Sequence, residues 1–290
     1  MKGPLLIIIS GVLFGSVGVF VKLIGPSISP FLLTFARLLL AAAIIFLAHF
    51  LVKSHRSLAM KKGDVPLFVA AGFSGITIGF GLFVAALSIA PVADVVLLVY
   101  IYPIITALLA AVFLKERIGK REIAALIIMS AGVWVIYGFR TELLANIGNL
   151  FAIISGVGYS FGIIIARHVL HDKGYSLWAA LFWPFVFGSL LLVLLFPFEA
   201  LAFAPSAMGI WYFLGLVIIS TAIPYGLYDA GLRSVEAHMA PILTILTEPL
   251  SAVLLAWIIL GEGIGATVIA GGILIVLANI LAVKEGRKVR

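Results

Sequence analysis

The sequence has no cysteine and few charged residues. The absence of cysteine among its 290 residues excludes disulfide bonds, iron–sulfur clusters and thiol catalysis. Charged residues make up only 11% of the chain, against about a quarter in an ordinary soluble domain. Hydrophobic residues make up 64%, with a mean hydropathy of +1.28, and no soluble core of this length could bury so much apolar surface. The whole chain is therefore expected to lie in a lipid bilayer.

Sequence motifs for common kinds of catalysis are also missing. There is no P-loop and no His-Glu-x-x-His sequence, so neither nucleotide hydrolysis nor a zinc protease is supported. Residues 158–162 fit the G-x-S-x-G pattern, but they lie in an apolar helix and not in the strand-to-helix turn that this motif requires. His168 and His171 fall in a predicted loop with too few further ligands for a metal. We expect no enzyme activity, no cofactor and no metal site.

Apolar stretches of membrane-spanning length recur along the chain. A helix needs about 20 apolar residues to cross roughly 30 Å of hydrocarbon. By that measure the sequence predicts ten spans, at residues 4–24, 30–52, 65–87, 92–114, 122–138, 147–167, 177–197, 207–231, 238–260 and 265–283. The segments are too long, and alternate too little, for strands of a β-barrel. The predicted fold is an all-α integral membrane protein of ten transmembrane helices.

The basic residues predict the orientation, because cytoplasmic loops are enriched in Lys and Arg. With both termini in the cytoplasm, Arg140 is the one basic residue of 19 in an outer loop, and Lys22 and Arg37 lie within spans. The formal charge of +7 then reflects cytoplasmic loops, so we expect no nucleic-acid partner. We expect a multi-pass protein of the plasma or inner membrane, a monomer or weak dimer that meets lipid and a small-molecule substrate.

The two halves of the chain resemble each other in sequence. Residues 8–12, Ile-Ile-Ser-Gly-Val, recur at 153–157. At an offset of 146 residues, the matching pairs are Pro103 with Pro249, Leu114 with Leu260, and Glu116 with Glu262. The halves, residues 1–145 and 146–290, each contain five predicted spans, an odd number, so the second half must enter the membrane from the opposite side. The sequence therefore predicts two inverted five-helix repeats around a central cavity, a plan typical of transporters.

Each half ends in a proline-containing helix, a Leu-x-Glu turn and a glycine-rich helix. These residues are Pro103, Leu114-Lys115-Glu116 and Gly132 in the first half, and Glu248-Pro249, Leu260-Gly261-Glu262 and Gly271-Gly272 in the second. Together with Arg37 in the second span, they resemble the EamA group of the drug/metabolite transporter superfamily. The resemblance covers nearly the whole chain, and it implies a ten-helix basket around a central cavity and export of amino acids or other metabolites. The halves differ at one central position, where Tyr102 matches Glu248.

Polar residues deep in a membrane are costly and are therefore candidates for function. Glu248 lies near the middle of its span, and the proline that follows it interrupts the helical hydrogen bonding. Tyr102 and its own proline occupy the matching position of the first half. We expect Glu248 either to bind substrate or a proton, or to form a packing hydrogen bond with a neighbour such as Thr244 or Tyr225.

The remaining candidates are charged or aromatic. Arg37 would attract a carboxylate or phosphate, unless it snorkels to the headgroups. Asp229 is a second candidate for proton coupling, with pairing to Arg233 one turn later as the alternative. The aromatic residues expected along the substrate path, where they would line a pocket or pack helices, are Phe14, Phe80, Tyr100, Tyr102, Tyr159, Tyr225 and Tyr228.

These features predict a secondary transporter that exports amino acids by alternating access. The aromatic residues would suit an apolar or aromatic side chain, and Arg37 would suit its carboxylate. Alternative substrates are phosphorylated or nucleotide-linked sugars and hydrophobic drugs. From a different class, the alternative is a receptor or assembly protein that binds without translocation, although such a protein has no need for the paired gates of an inverted repeat.

Overall fold

Every secondary-structure element in the described part of the chain is helical. The structure, a computed structural model, describes residues 2–25, 28, 30–51, 58–90, 95, 98–137, 147–195, 206–245, 247–261, 263 and 265–283. Its α-helices are α1 (Lys2–Phe14), α2 (Val17–Ile24), α3 (Pro30–Leu51), α4 (Val65–Ala71), α5 (Leu82–Ile89), α6 (Tyr102–Leu109), α7 (Lys120–Tyr137), α8 (Ile147–Arg167), α9 (Leu177–Leu195), α10 (Ala207–Val217), α11 (Ile223–Leu232), α12 (Met239–Ile245), α13 (Glu248–Leu260) and α14 (Ala266–Val283).

Four π-helical segments, whose turns are wider than those of an α-helix, continue neighbouring α-helices. They are Gly72–Gly81, Ala110–Leu114, His168–Asp172 and Ile218–Ala222. Gly72–Gly81 joins α4 to α5, and Ile218–Ala222 joins α10 to α11. These two segments begin 146 residues apart, at matching positions of the two halves.

Several helical stretches are long and apolar enough to cross a membrane. Seven such stretches occur among the described residues: Lys2–Ile24, Phe31–Leu51, Lys62–Ala86, Ile147–Asp172, Leu177–Leu194, Ala207–Leu232 and Met239–Leu260. Two shorter apolar helices cover Tyr102–Leu114 and Ala266–Ala278. Helical residues lie within each of the ten intervals predicted from the sequence, while the division into ten spans stays a prediction.

The helix contacts of one half map onto those of the other. Helix α1 of the first half packs against α11, α12 and α13 of the second. In the matching way, α8 of the second half packs against Gly72–Gly81, α5 and α6 of the first. Two further pairs, α3 with α9 and α7 with α14, join helices at the same position of each half. These contacts favour the predicted two-repeat arrangement.

Glycines allow the closest of these contacts, because backbone approaches backbone where no Cβ intervenes. A Cβ atom built at Gly158 of α8 would lie 2.7 Å from the carbonyl oxygen of Ser74 and 2.8 Å from the Ile78 side chain. At Gly132 of α7, a Cβ atom would lie 2.8 Å from the carbonyl oxygen of Gly271 in α14. The helix interfaces between the two halves therefore depend on glycine residues.

Two helices are interrupted at matching positions near their middles. Helix α12 ends at Ile245 and α13 begins at Glu248, while α6 begins at Tyr102 after a turn. The proline that follows each of these first residues lacks an N–H group, which costs little at the start of a helix because those groups have no helical partner there. The breaks lie where the two X-Pro sequences predicted weakened helices.

The glycine seam can be tested by adding one methyl group. Gly158→Ala is expected to lower the free energy of unfolding by about 1–3 kcal/mol, because the new Cβ would overlap a backbone carbonyl that cannot move freely. The measurement is unfolding of purified protein in mixed micelles. Gly18→Ala is the matched control, since a Cβ there meets nothing within 4 Å. Equal effects of the two changes would contradict the close packing at Gly158.

Candidate substrate-binding site

The aromatic residues predicted along the substrate path meet between the two halves. The ring of Tyr159, in α8, lies 5.2 Å from that of Phe80 and 6.2 Å from that of Tyr102, measured between centroids. Phe80 in turn lies 6.2 Å from Tyr225 of α11. Both halves therefore contribute rings to one group.

The remaining predicted rings extend this group at its two ends. Phe14 lies 5.0 Å from Tyr225 and 6.5 Å from Tyr228, and Tyr100 lies 6.4 Å from Tyr102. We call the connected set of seven the aromatic cluster; it comprises Phe14, Phe80, Tyr100, Tyr102, Tyr159, Tyr225 and Tyr228. Six of these side chains are half-buried, while Tyr228 is buried and its hydroxyl has no hydrogen-bond partner among the described residues.

Sequence reasoning missed one member of this neighbourhood. Phe185 of α9 packs edge-on against Tyr225 with ring centroids 5.1 Å apart. Helix α9 is apolar on every side, so no polar face indicates which of its aromatic residues points inward. The repeat offset of 145 residues that pairs Phe14 with Tyr159 has no aromatic counterpart for Phe185, so the repeat does not single it out.

Arg37 lies beside the aromatic cluster and is 6% exposed. Its guanidinium carbon sits 5.0 Å from the centroid of the Phe80 ring, and its charge acts on the hydroxyls of Tyr159 and Tyr225. Its Nε atom has no hydrogen-bond partner, and the side chain forms no ion pair, within the described ranges. A buried cation without a carboxylate is expensive in a protein interior, and it is a natural receptor for an anionic group.

Glu248 is the first residue of α13 and is half-buried beside the same cluster. Its carboxyl group is close enough to act electrostatically on Tyr102, Tyr159, Tyr225 and Tyr228. The Thr244 hydroxyl does not serve as its packing partner, because Thr244 Oγ1 donates to the carbonyl of Ala240 at 2.9 Å. The geometry therefore brings Glu248 and Arg37 to one group of tyrosines.

Asp229 is buried one turn before Arg233, whose charge acts on it, while pairing of the two side chains stays a prediction. It also acts electrostatically on Tyr225 and Tyr228, so it belongs to the edge of the aromatic cluster. Two other sequence predictions, the outer-loop position of Arg140 and the match of Glu262 with Glu116, lie outside the described residues.

The two histidines that the sequence placed in a loop lie instead in the π-helical segment His168–Asp172, so the loop prediction was wrong. His168 and His171 both contact Asp172 through Nδ1, at 2.7 and 3.0 Å. Among the described residues, no group of three or more His, Cys, Asp or Glu side chains is arranged to hold a metal ion. A separate cavity of about 580 Å³ opens next to this segment, around Tyr175 and Arg233, and includes no residue of the aromatic cluster.

The structure combines interrupted membrane helices, a buried arginine and the aromatic cluster. These are features of a multi-pass membrane transport protein. Residues 1–138 and, separately, residues 146–284 match the EamA-like transporter family. The chain belongs to this family, and it is an EamA-type transporter of the drug/metabolite transporter superfamily.

Individual relatives agree with this assignment over almost the full chain. An "Uncharacterized transporter" of Archaeoglobus fulgidus is 29% identical, covering 98% of this chain and 97% of its own. The "Uncharacterized inner membrane transporter YicL" of Salmonella typhimurium is 27% identical, with coverage of 99% and 97%. A solved crystal structure superposes with a TM-score of 0.83 over 99% of each chain, at 21% identity, and thereby supports the fold.

The isolation of Arg37 predicts how its loss affects stability. Arg37→Met is expected to melt at the wild-type temperature or above it, because the change removes a buried charge that no described carboxylate compensates. Arg167→Met is the matched control and should lower stability by about 1 kcal/mol, since Arg167 donates a hydrogen bond to the carbonyl of Arg233 at 3.3 Å. Thermal melting of the purified proteins measures both. If Arg37→Met lost more stability than Arg167→Met, Arg37 would be a residue that stabilises the fold.

Proposed function

We propose that this chain is a secondary transporter that exports amino acids from the cytoplasm by alternating access. The observation that carries the proposal is the buried, uncompensated cation of Arg37 beside the aromatic cluster. A cation held this way is best neutralised by an anionic group that arrives with the substrate. A carboxylate matches the planar fork of donors on a guanidinium.

The neighbouring side chains support the rest of an amino-acid substrate. The faces and edges of the cluster rings provide apolar contact for a hydrophobic or aromatic side chain. The free hydroxyl of Tyr228 offers a polar contact to the substrate backbone. The positive ends of α6 and α13, at Tyr102 and Glu248, add to the positive potential around the cluster.

The position of the aromatic cluster between the two halves supports alternating access. Phe80 and Tyr102 come from the first half, and Tyr159 and Tyr225 from the second, so relative motion of the halves would open the group to one side or the other. The helix contacts of the first half match those of the second, and each half matches the family separately. Both observations support an inverted pair of five-helix repeats with a boundary near residue 145. A protein that only binds its ligand would not need both halves to line the site.

Proton coupling is proposed for Glu248, with Asp229 as the second candidate. Glu248 acts on the same tyrosine hydroxyls as Arg37, so its protonation state changes the potential that a substrate carboxylate meets. A deprotonated Glu248 would attract the ammonium group of an amino acid, and binding a proton there would remove that attraction, as exchange of substrate for protons requires. Proton and substrate binding are thereby linked through one site.

The proposed membrane is the plasma or inner membrane, with both termini cytoplasmic. The distribution of Lys and Arg supports this orientation. One relative is itself named an inner membrane transporter. In the proposed orientation, the ends of α8 and α11 and the start of α7 face the cytoplasm.

The substrate can be tested with purified protein in liposomes. We expect uptake or efflux of at least one member of a panel of labelled amino acids, and Arg37→Gln should reduce it about tenfold or more, because a charge-assisted contact is lost. Arg37→Lys should restore part of the rate, since it keeps the charge but loses the fork. Arg121→Gln, an exposed position on α7, is the control and should transport normally.

The same panel separates the alternatives. It includes a sugar phosphate, a nucleotide sugar and a hydrophobic drug. If one of these compounds is transported and no amino acid is, the proposed substrate class is wrong and that compound's class takes its place. Binding detected by a thermal shift, with no movement of any compound at equal or unequal pH, would favour the receptor.

Proton coupling makes a separate prediction about driving force. Wild-type protein should accumulate substrate against its concentration difference when a pH difference is imposed across the liposome membrane. Glu248→Gln should still exchange substrate but no longer accumulate it, because the amide cannot carry a proton. Asp229→Asn is the comparison. If only Asp229→Asn abolished accumulation, the coupling role would pass to Asp229, and if both variants accumulated normally, neither residue would have it.

A further inference from the structure

A buried polar group joins the two halves at one end of the helix bundle, outside the aromatic cluster. This end, which we call the basic end, is where α7 begins with Lys120 and Arg121 and α8 finishes with Arg167. Glu116 comes from the first half, in the turn before α7, and His238 from the second half, just before α12. The Glu116 side chain is 9% exposed and that of His238 is fully buried. Neither residue belongs to the proposed substrate site.

Glu116 makes all its recorded side-chain contacts with the other half. Its Oε1 accepts a hydrogen bond from the backbone N–H of Ala237 at 2.8 Å, and its Oε2 accepts the N–H of His238 at 3.2 Å. These N–H groups precede α12, so Glu116 serves that helix as a capping residue from across the interface. Arg167 of α8 adds a cation, with Nε 4.0 Å from Glu116 Oε1. One carboxylate of the first half thus holds two elements of the second.

The imidazole ring of His238 completes the group. Its Nδ1 lies 2.8 Å from Glu116 Oε2 in a hydrogen bond, and its Nε2 lies 3.3 Å from Glu122 Oε2 at the start of α7. Glu236 is farther away, at 3.9 Å, and its side chain is 40% exposed. Carboxylates lie near both nitrogens and favour a positive charge on the ring, although Nε2 itself makes no hydrogen bond among the described residues.

The backbone is arranged to direct Glu116 across the interface. Lys115, immediately before it, has φ 56° and ψ 29°, a left-handed conformation that a residue with a Cβ rarely adopts. At the matching position of the second half, Gly261 adopts the same conformation without that penalty. The first half therefore accepts strain at Lys115, and the bonds that Glu116 makes to Ala237 and His238 offset it.

We propose that Glu116 and His238 form a proton-dependent latch that closes the basic end and must release before the aromatic cluster can open toward that side. The proposal rests on the alternating access proposed above. The latch bonds join the two halves, and they are nearly dry, so separating the halves breaks them and leaves a buried charge on each side until water enters. The closed basic end is then a defined state, and its opening is a discrete step.

The charges around His238 determine how the latch responds to pH. Burial alone would lower the pKa of His238, but its hydrogen bond to Glu116 and the charges of Glu122, Glu116 and Glu236 outweigh burial and raise that pKa. Burial would raise the pKa of Glu116, but the hydrogen bonds from His238 and Ala237 lower it overall. A raised histidine pKa means that the ionic contact is fully present below the ordinary value of about 6.5 and is lost as the pH rises through the raised value. Arg167 adds a positive charge on the Glu116 side of the group.

A single cysteine can report opening, because the chain has none of its own. Ala110 of the first half is fully buried against Ile164 and Ala237 of the second, next to the latch. In an Ala110→Cys reporter, we expect Glu116→Gln or His238→Gln to raise the rate of labelling by a membrane-impermeant maleimide about tenfold, because each change removes a charge-assisted contact. Glu236→Gln, at the exposed and distant carboxylate, is the matched control and should change the rate less than about twofold.

The pH dependence is measured as a ratio of two labelling rates. Each thiol reacts faster at higher pH, and the ratio removes this common effect. The labelling rate of Ala110→Cys divided by that of the exposed Lys62→Cys reporter should rise with pH when His238 is present and stay constant in His238→Gln. Unchanged labelling in latch variants that melt like wild type would overturn the proposal. If those variants failed to fold, a flat ratio with the native latch would overturn it instead. The readout does not require transport, so a failed amino-acid panel would refute the substrate and leave the latch to be judged on labelling.

Discussion

A backbone that crosses lipid must satisfy its own hydrogen bonds, and the architecture of this transporter depends on that constraint. Helices meet it automatically, which is why every secondary-structure element in the described part of the chain is helical. At each of the two interruptions, before Tyr102 and before Glu248, side-chain hydroxyls bond to nearby backbone carbonyls. The Tyr102 carbonyl accepts hydrogen bonds from the hydroxyls of Thr106 and Ser160, at 2.8 and 3.0 Å. At the second break, the Thr247 hydroxyl contacts the carbonyls of Ile8 and Thr244, at 3.1 and 3.3 Å.

The same constraint explains why the candidate site lies where it does. Each break packs against a glycine of the other half, Gly156 against Val99 and Gly11 against Thr244 and Thr247. Each interruption is therefore shielded from lipid by the glycine backbone of the other half and by a nearby hydroxyl group. This sheltered interior is also the place where a charged side chain such as Arg37 can be held. Backbone irregularity, buried charge and aromatic rings occur together because each needs protection from the hydrocarbon.

Much of this arrangement could be predicted from the sequence. The breaks were marked by proline, because an X-Pro pair removes a helical N–H regardless of its surroundings. The seven rings of the aromatic cluster were found by their depth in apolar segments and, for Phe14 and Tyr159, by their matching places in the repeats. Their meeting between the halves is consistent with the inverted repeat that those places suggested. Whether they bind substrate stays a prediction, since shape alone does not distinguish a lining ring from a packing ring.

The polar group at the basic end could not be predicted in the same way. Glu116 and His238 are separated by 122 positions, and no local spacing connects them. Glu116 stood out only as a repeat marker, and His238 stood out in no pattern at all. Lys115 would not be chosen for a left-handed turn, since propensity favours glycine or asparagine. The contacts of Glu116 and His238 cross the interface, and a single sequence does not reveal which distant segments meet.

The close pairing of α7 with α14 has a consequence for how the protein is made. At Gly132 the backbone of α7 lies against the backbone of Gly271, so this face of α7 fits a neighbour that is synthesised more than 100 residues later. Until then this face meets lipid, which fills a narrow backbone groove poorly. The contacting face of α7 therefore has no partner helix until α14 has been inserted.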